Sequence, residues 1–304
     1  MKLVPEVLIE DEALRDGLQI EKRSFSLEEK LHIIDALVAA GVRRIQVGSF
    51  VHPKRVPQMA NTDELFAALK PVDGVTYSGL VLNSTGLDRA LAVGVKHLSI
   101  SVSASETHSR KNANKSVSEA LADITPTIER ALAAGISVRA GIQSALGCGY
   151  EGNIATAKVV EIAEIFSAIG AHEINIADSA GLGNPKLVYE TVNAVRDAIR
   201  PDAKISLHLH DTRGLGLANM FAGLQAGVAI YDAAVGGLGG CPFIPGAAGN
   251  ISTEDAVYAL DEMGIKSGID WRKLRPIVAE FEQKFDRKLP SRMAHIALPA
   301  TTAN

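Results

Sequence analysis

The sequence predicts a closed eight-stranded (β/α)8 TIM barrel with one additional helix at its C-terminal end. Three observations carry this. Short runs rich in Val, Ile and Leu alternate with longer stretches of helical apolar spacing, at intervals of roughly 30 residues. Eight such β-then-α units can be marked along the chain. With 304 residues and 47% hydrophobic content the chain can fill one large barrel, and α/β barrels often exceed the single-domain length that composition alone suggests. An open doubly wound sheet is the main competitor. It would bring a phosphate-binding glycine turn after the first strand, where this chain has Arg15-Asp16-Gly17.

The elements follow in order. The stretch 7–12, opening on Val7-Leu8-Ile9, predicts the first strand, and Ser26-Leu27-Glu28-Glu29 fits a capping box that opens a helix over 27–40, closed by Gly41. Strands are predicted over 44–48, 75–82 and 97–102, followed by helices over 62–69, 86–93 and 117–134. The second half repeats the pattern, with strands over 137–143, 173–178, 204–210 and 229–234. Their helices are 154–169, 185–199 with Pro185 in its first turn, 215–226, 253–263 and a final one over 270–285. No linker or low-complexity tract divides the chain. One catalytic domain over 1–289 is expected, and the small, polar tail 290–304 is expected to fray.

Composition excludes several classes of function. The net charge of -4 comes with no basic stripe, so a nucleic-acid surface is not expected. No apolar run approaches the ~20 residues of a membrane span, and the N-terminus lacks the apolar core of a secretory signal. The two cysteines, Cys148 and Cys241, do not make a disulfide framework, and a cytoplasmic setting is the simplest expectation.

In such barrels chemistry gathers at the C-terminal ends of the strands. His208 and His210, two apart on a predicted strand, point to one face because side chains alternate with period two. With Asp16 and Asn250 they give two oxygen and two nitrogen donors, a set that suits an octahedral Mg²⁺ or Mn²⁺ better than structural zinc. The same pair could also be satisfied by backbone carbonyls, and Asn250 also fits a helix cap. Arg15 stands beside Asp16 as a candidate electrophile. Gln46, Arg139, Gln143 and Asp178 occupy other predicted strand ends. Cys241 lies in the glycine- and proline-rich loop 236–250, which could deliver a thiol for proton transfer, whereas a buried role is the usual fate of a free cysteine. No lysine stands at a predicted strand end, which disfavours a Schiff-base aldolase.

Several stretches carry a resemblance. Arg15-Asp16-Gly17-Leu18-Gln19, Ser49-Phe50-Val51-His52-Pro53-Lys54, Ala145-Leu146-Gly147-Cys148, His208-Leu209-His210-Asp211-Thr212 and Gly239-Gly240-Cys241-Pro242-Phe243 resemble the 3-hydroxy-3-methylglutaryl-CoA lyase family, with its pyruvate carboxyltransferase-like barrel. The likeness runs from Arg15 to about residue 264. It implies a lyase that splits a 3-hydroxyacyl-CoA into acetyl-CoA and an oxo acid such as acetoacetate, as in leucine degradation. It implies Asp16, His208, His210 and Asn250 as metal ligands, Arg15 and Cys241 as catalytic residues, and Gln19 and Asp178 as contacts around them. Gln46 and Arg139 join that supporting group.

One departure is visible. The family pattern has an acidic residue where Gln46 stands, so the resemblance implies an altered metal surround or proton relay here. Arg213, after the His-Leu-His-Asp-Thr run, adds a charge that could pair with a second substrate carboxylate or remain a solvated helix-start charge. A related lyase or aldolase for a citramalyl-CoA-like thioester or a 4-hydroxy-2-oxo acid therefore stays open, as does a silenced acyl-CoA-binding barrel. Cations on the loops after strands two and four (His52, Lys54, Arg55, Arg110, Lys111 and Lys115) are candidates for the CoA phosphates. The amphipathic last helix could serve a homo-oligomer.

Overall fold

The computed structural model describes residues 3–240 and 248–297. Its centre is a closed barrel in which eight strands neighbour one another in chain order. They are β1 (Leu8–Asp11), β2 (Arg44–Ser49), β3 (Thr76–Val81), β4 (His97–Ser103), β5 (Ser137–Gln143), β6 (Glu173–Asp178), β7 (Lys204–Leu209) and β8 (Ile230–Ala233). All pairings are parallel, and β1 meets β8 to close the ring. The predicted barrel is the observed one.

The helices are α1 (Leu27–Ala39), α2 (Thr62–Ala68), α3 (Ser84–Ala92), α4 (Glu106–Ala113), α5 (Val117–Ala133), α6 (Thr156–Ile169), α7 (Pro185–Ala198), α8 (Gly216–Gln225), α9 (Thr253–Glu262) and α10 (Trp271–Phe285). Local signals explain most of their starts. Ser26 accepts from Glu29 N–H while the Glu29 side chain accepts from Ser26 N–H, so the capping box is real. Helix α4 was not predicted. Its eight residues are almost all polar, with no apolar period to read, and Ser105 starts it by accepting from His108 N–H.

Strand alternation sorts the side chains into two environments. Ile9, Ile45, Val47, Leu98, Ile100, Ile174, Ile176 and Leu209 are buried in the apolar core. The alternate positions carry polar groups that meet across the ring. Arg44 on β2 makes a double hydrogen bond to Glu173 on β6, and Arg139 on β5 reaches Glu10 on β1 and Asp232 on β8. Contacts between such distant strands place these residues inside the barrel. Aliphatic residues, which usually dominate such interiors, here turn toward the helices instead.

The C-terminal segment differs from expectation. Asp255 accepts hydrogen bonds from Ser291 Oγ, Arg292 N–H and Met293 N–H, and Ser291 and Met293 are buried. Ser291–Met293 are thereby tied to α9, and Arg275 on α10 donates to the carbonyls of Ala294 and Ile296; the tail from 298 lies outside the described residues. Among the described residues no helix is long and apolar enough to cross a membrane.

Candidate functional site

The end of β1 sets the site's position. Glu12 leaves the strand at φ −109°, ψ 13°, the sparsely populated bridge region, and the chain then makes a π-turn over Ala13–Gly17. Gly17 N–H closes that turn on Glu12 C=O at 3.1 Å. Such wide turns recur at functional sites because they redirect consecutive side chains. Here the turn brings Arg15 and Asp16 over the barrel mouth. Across from them, His210 just past β7 pairs with Asn250 through an isolated bridge, which carries the asparagine to the same point.

The predicted donors converge. Ligand atoms of Asp16, His208 and His210 all lie within 4.8 Å of one another. The two Nε2 atoms face each other at 3.0 Å, and His210 Nε2 is 3.7 Å from Asp16 Oδ2. Asn250 joins the group by donating from Nδ2 to Asp16 Oδ2 at 2.9 Å. Two observations test whether a cation fits. The side-chain oxygen of Asn250 and Nδ1 of His210 are buried without a partner among the described residues. Donors about 3.0 Å apart also match neighbouring positions on an octahedral ion with bonds near 2.1 Å. The residues fit.

The surround orders these donors. His208 Nδ1 lies 3.1 Å from Asp232 Oδ2, which fixes the ring and leaves Nε2 free to ligate. Burial disfavours the charged form of His208, but Asp232, Glu12 and Asp16 outweigh it and raise its pKa. Burial lowers that of His210. Burial also works against the Asp16 carboxylate, and Arg15 with both imidazoles more than compensates, holding it below the usual range. A second carboxylate–imidazole group, Glu12, His208 and Asp232, lies behind His208, but its acids are already engaged by arginines.

Arg15 is gripped on three sides. Nε donates to Gln46 Oε1, Nη2 to Glu12 Oε2, and Nη1 to Asp16 Oδ1 at 2.6 Å. One hydrogen on each Nη remains, since a guanidinium carries five.

The other predicted residues have different places. Gln46 is fully buried beneath Arg15, and its Nε2 lies 3.5 Å from Glu10 Oε1. Arg139 is no strand-end contact. It stands low in the barrel, 2% exposed, bonded to Glu10, Glu12 and Asp232. Asp178 accepts N–H groups from Leu182 and Gly183, so it shapes the loop after β6, and burial pushes its pKa up to about 6. Gln19 is half-buried and makes no side-chain hydrogen bond with the described residues. Arg213 donates to Ala180 C=O and Gly181 C=O, tying two loops together. Cys148 is buried and accepts from Tyr150 N–H. Cys241 lies outside the described residues.

Sequence reading missed Glu10, Glu12, Arg44, Glu173 and Asp232. A signal was present: Glu10 and Glu12 sit two apart around Asp11, the same spacing that marked the histidines.

The model of the HMGL-like family matches residues 6–280. The chain belongs to the HMGL-like family. Within it, a hydroxymethylglutaryl-CoA lyase of Macaca fascicularis is 40% identical over 96% of this chain and 90% of its own. A 3-hydroxy-3-isohexenylglutaryl-CoA/hydroxy-methylglutaryl-CoA lyase of Pseudomonas aeruginosa is 38% identical over 90% of this chain and 91% of its own. Among solved HMGL-like structures, an HMG-CoA lyase from Acinetobacter baumannii in complex with coenzyme A and 3-methylmalate superposes with a TM-score of 0.92. It is 33% identical and covers 100% of this chain and 99% of its own.

Proposed function

We propose that the chain is a divalent-cation-dependent carbon–carbon lyase. It cleaves a 3-hydroxy-3-methylglutaryl-CoA-like thioester to acetyl-CoA and an oxo acid, acetoacetate when the substituent is methyl. The observation that carries this is the meeting of Asp16, His208, His210 and Asn250 beside the half-satisfied guanidinium of Arg15. Kinship with HMG-CoA lyases over almost the whole length supports the lyase over the aldolase alternatives.

Asp16, His208, His210 and Asn250 would hold the cation, Mg²⁺ or Mn²⁺ by the hardness of its oxygen donors. When bound, it supplies Lewis acidity that lowers the pKa of the substrate's C3 hydroxyl. That hydroxyl gives its proton to water, the C3 oxygen becomes the ketone of the oxo acid as the C2–C3 bond breaks, and the electron pair of that bond moves onto the thioester as an enolate. Arg15, with a free hydrogen on each Nη, faces the developing oxyanion. Asp16 and Glu12 keep that guanidinium in place. Returning a proton to C2 is assigned to Cys241 on the resemblance of its loop.

A cavity of about 830 Å³ opens beside Gly239 and Gly249, next to this group, and Lys22, Arg23 and Arg287 border it. Arg23 and Arg287 there pair with Glu29 and Glu21, and His52, Lys54 and Arg55 stand exposed on the loop after β2, so both places are candidates for the CoA phosphates. Lys111 already covers the Tyr150 ring, and Lys115 pairs with Asp123.

The test is incubation with 3-hydroxy-3-methylglutaryl-CoA and Mg²⁺ or Mn²⁺, following acetyl-CoA. Chelator-sensitive cleavage is expected. Absence of cleavage of this and related 3-hydroxyacyl-CoA thioesters, with Mn²⁺ shown to bind, rules the proposal out.

A further inference from the structure

We propose that Glu12 is the positioning residue that holds Arg15 at its working place, supplying from the turn just past β1 the carboxyl partner that the neutral Gln46 is not. The inference rests on the lyase reading of this site.

Three groups hold the Arg15 guanidinium. Gln46 is uncharged, and Asp16 shares its second oxygen with Asn250 and stands in the donor group. Glu12 is the remaining charge. It is fully buried, and both its oxygens are spent on orientation: Oε2 on Arg15, Oε1 on Arg139 Nη2 at 2.7 Å. Arg139 is itself fixed by Glu10 and Asp232. Arg15 is thereby tied, through one carboxylate, to the interior of the barrel rather than only to its own turn. A long arginine side chain on a turn otherwise has several rotamers to choose from.

Charge balance agrees with a single acid in this place. The linked network contains the carboxylates of Glu10, Glu12, Asp16, Glu173 and Asp232 and the guanidiniums of Arg15, Arg44 and Arg139. His208 stands beside Glu12 and Asp232 in the same network, so five acids face three guanidiniums and one imidazole. An acid at position 46 would add a sixth carboxyl to this buried group, and Gln46 is the neutral companion of Glu12 at Arg15.

The experiment compares wild type, Glu12→Gln and Glu12→Asp. In Glu12→Gln, kcat at saturating Mn²⁺ is expected to fall by about 100-fold, the usual effect of displacing a catalytic group by an ångström. KM and the Mn²⁺ affinity, followed by the EPR signal of free Mn²⁺, are expected to stay within about threefold, since ground-state binding is not what Glu12 serves. Glu12→Asp, which keeps the charge, is expected to recover at least a tenth of the wild-type kcat, on the order of charge-preserving rescue. A Glu12→Gln kcat near wild type overturns the proposal, as does failure of Glu12→Asp to exceed it. So does a loss confined to Mn²⁺ affinity, which would place Glu12 behind His208 instead.

A second readout is independent of the reaction. In ¹⁵N NMR of the wild-type protein, Arg15 is expected to show separate Nη1 and Nη2 resonances, because different carboxylates hold them. A single averaged resonance overturns the proposal. If the wild type cleaves no 3-hydroxyacyl-CoA, the lyase reading fails, while loss of the separate Nη resonances in Glu12→Gln still supports the role of Glu12 and their persistence overturns it.

Discussion

Gln46→Glu is the substitution that the family pattern invites, and the structure predicts that it will damage this protein. The new carboxylate oxygen would replace an amide nitrogen lying 3.5 Å from Glu10 Oε1, in a fully buried setting. Two unit charges at that distance repel by about 5 kcal/mol at an effective dielectric near 20. Attraction to Arg15, which already contacts this side chain, returns part of that. Proton uptake sets a ceiling: neutralising a carboxyl of ordinary pKa near 4.3 requires about 4 kcal/mol at pH 7 and about 1 at pH 5. A net loss of about 2–4 kcal/mol is therefore expected at pH 7 and about 1 or less at pH 5. The sign follows from linkage. The introduced group has its pKa raised by folding, so its penalty is absent below its unfolded pKa and grows as pH rises toward the folded one. Urea unfolding of both proteins at the two pH values measures this. Equal midpoints at both, or a more stable variant at pH 7, would refute the electrostatic account of why glutamine stands there.

Gly239 has φ +113°, and a Cβ there would come within 2.7 Å of Asn250 Nδ2 and 3.2 Å of Asp16 Oδ2. Gly239→Ala should weaken Mn²⁺ binding about tenfold or more, measured by titration, because the ligands must shift. Asn250→Ala should do so as well, leaving the fold intact by circular dichroism. Glu254 is fully buried, and burial raises its pKa from 4.5 to about 7 against the hydrogen bonds from Ser252 and Gly236 N–H. With the folded pKa above the unfolded one, its contribution to stability is full below pH 4.5 and lost as pH rises to about 7. Glu254→Gln should flatten the decline in urea midpoint between those values, and an unchanged slope would show that another group governs it. Cys241→Ser should lower kcat at unchanged Mn²⁺ affinity if the thiol returns the proton to C2.

The barrel was legible in the sequence because each unit announces itself locally. Apolar runs, helix-start residues such as Ser26 and Pro185, and glycines such as Gly41 act within a few residues of where they stand. The donor set was legible for a related reason: His208 and His210 lie on one face by period two, and Arg15-Asp16 and Asn250 stand in recognisable runs. The polar interior was not. Which partners Glu10, Arg44 or Asp232 meet is undefined until closure faces β1 with β5 and β2 with β6, when alternate positions of separate strands share one dry space. Arg139 was accordingly placed at a strand end and found below the site, and the contact of Glu12 with Arg15 beside Gln46 could not be read from their positions in the chain.

By itself, then, the sequence determined the order of elements, the ring they close and the residues that meet at its mouth, because those depend on short-range periodicity and capping. Which charges neutralise one another, and so how Arg15 is held, was decided only by the tertiary structure. Electrostatic energy in a buried pocket depends on distances across the barrel, and no spacing along the chain encodes them.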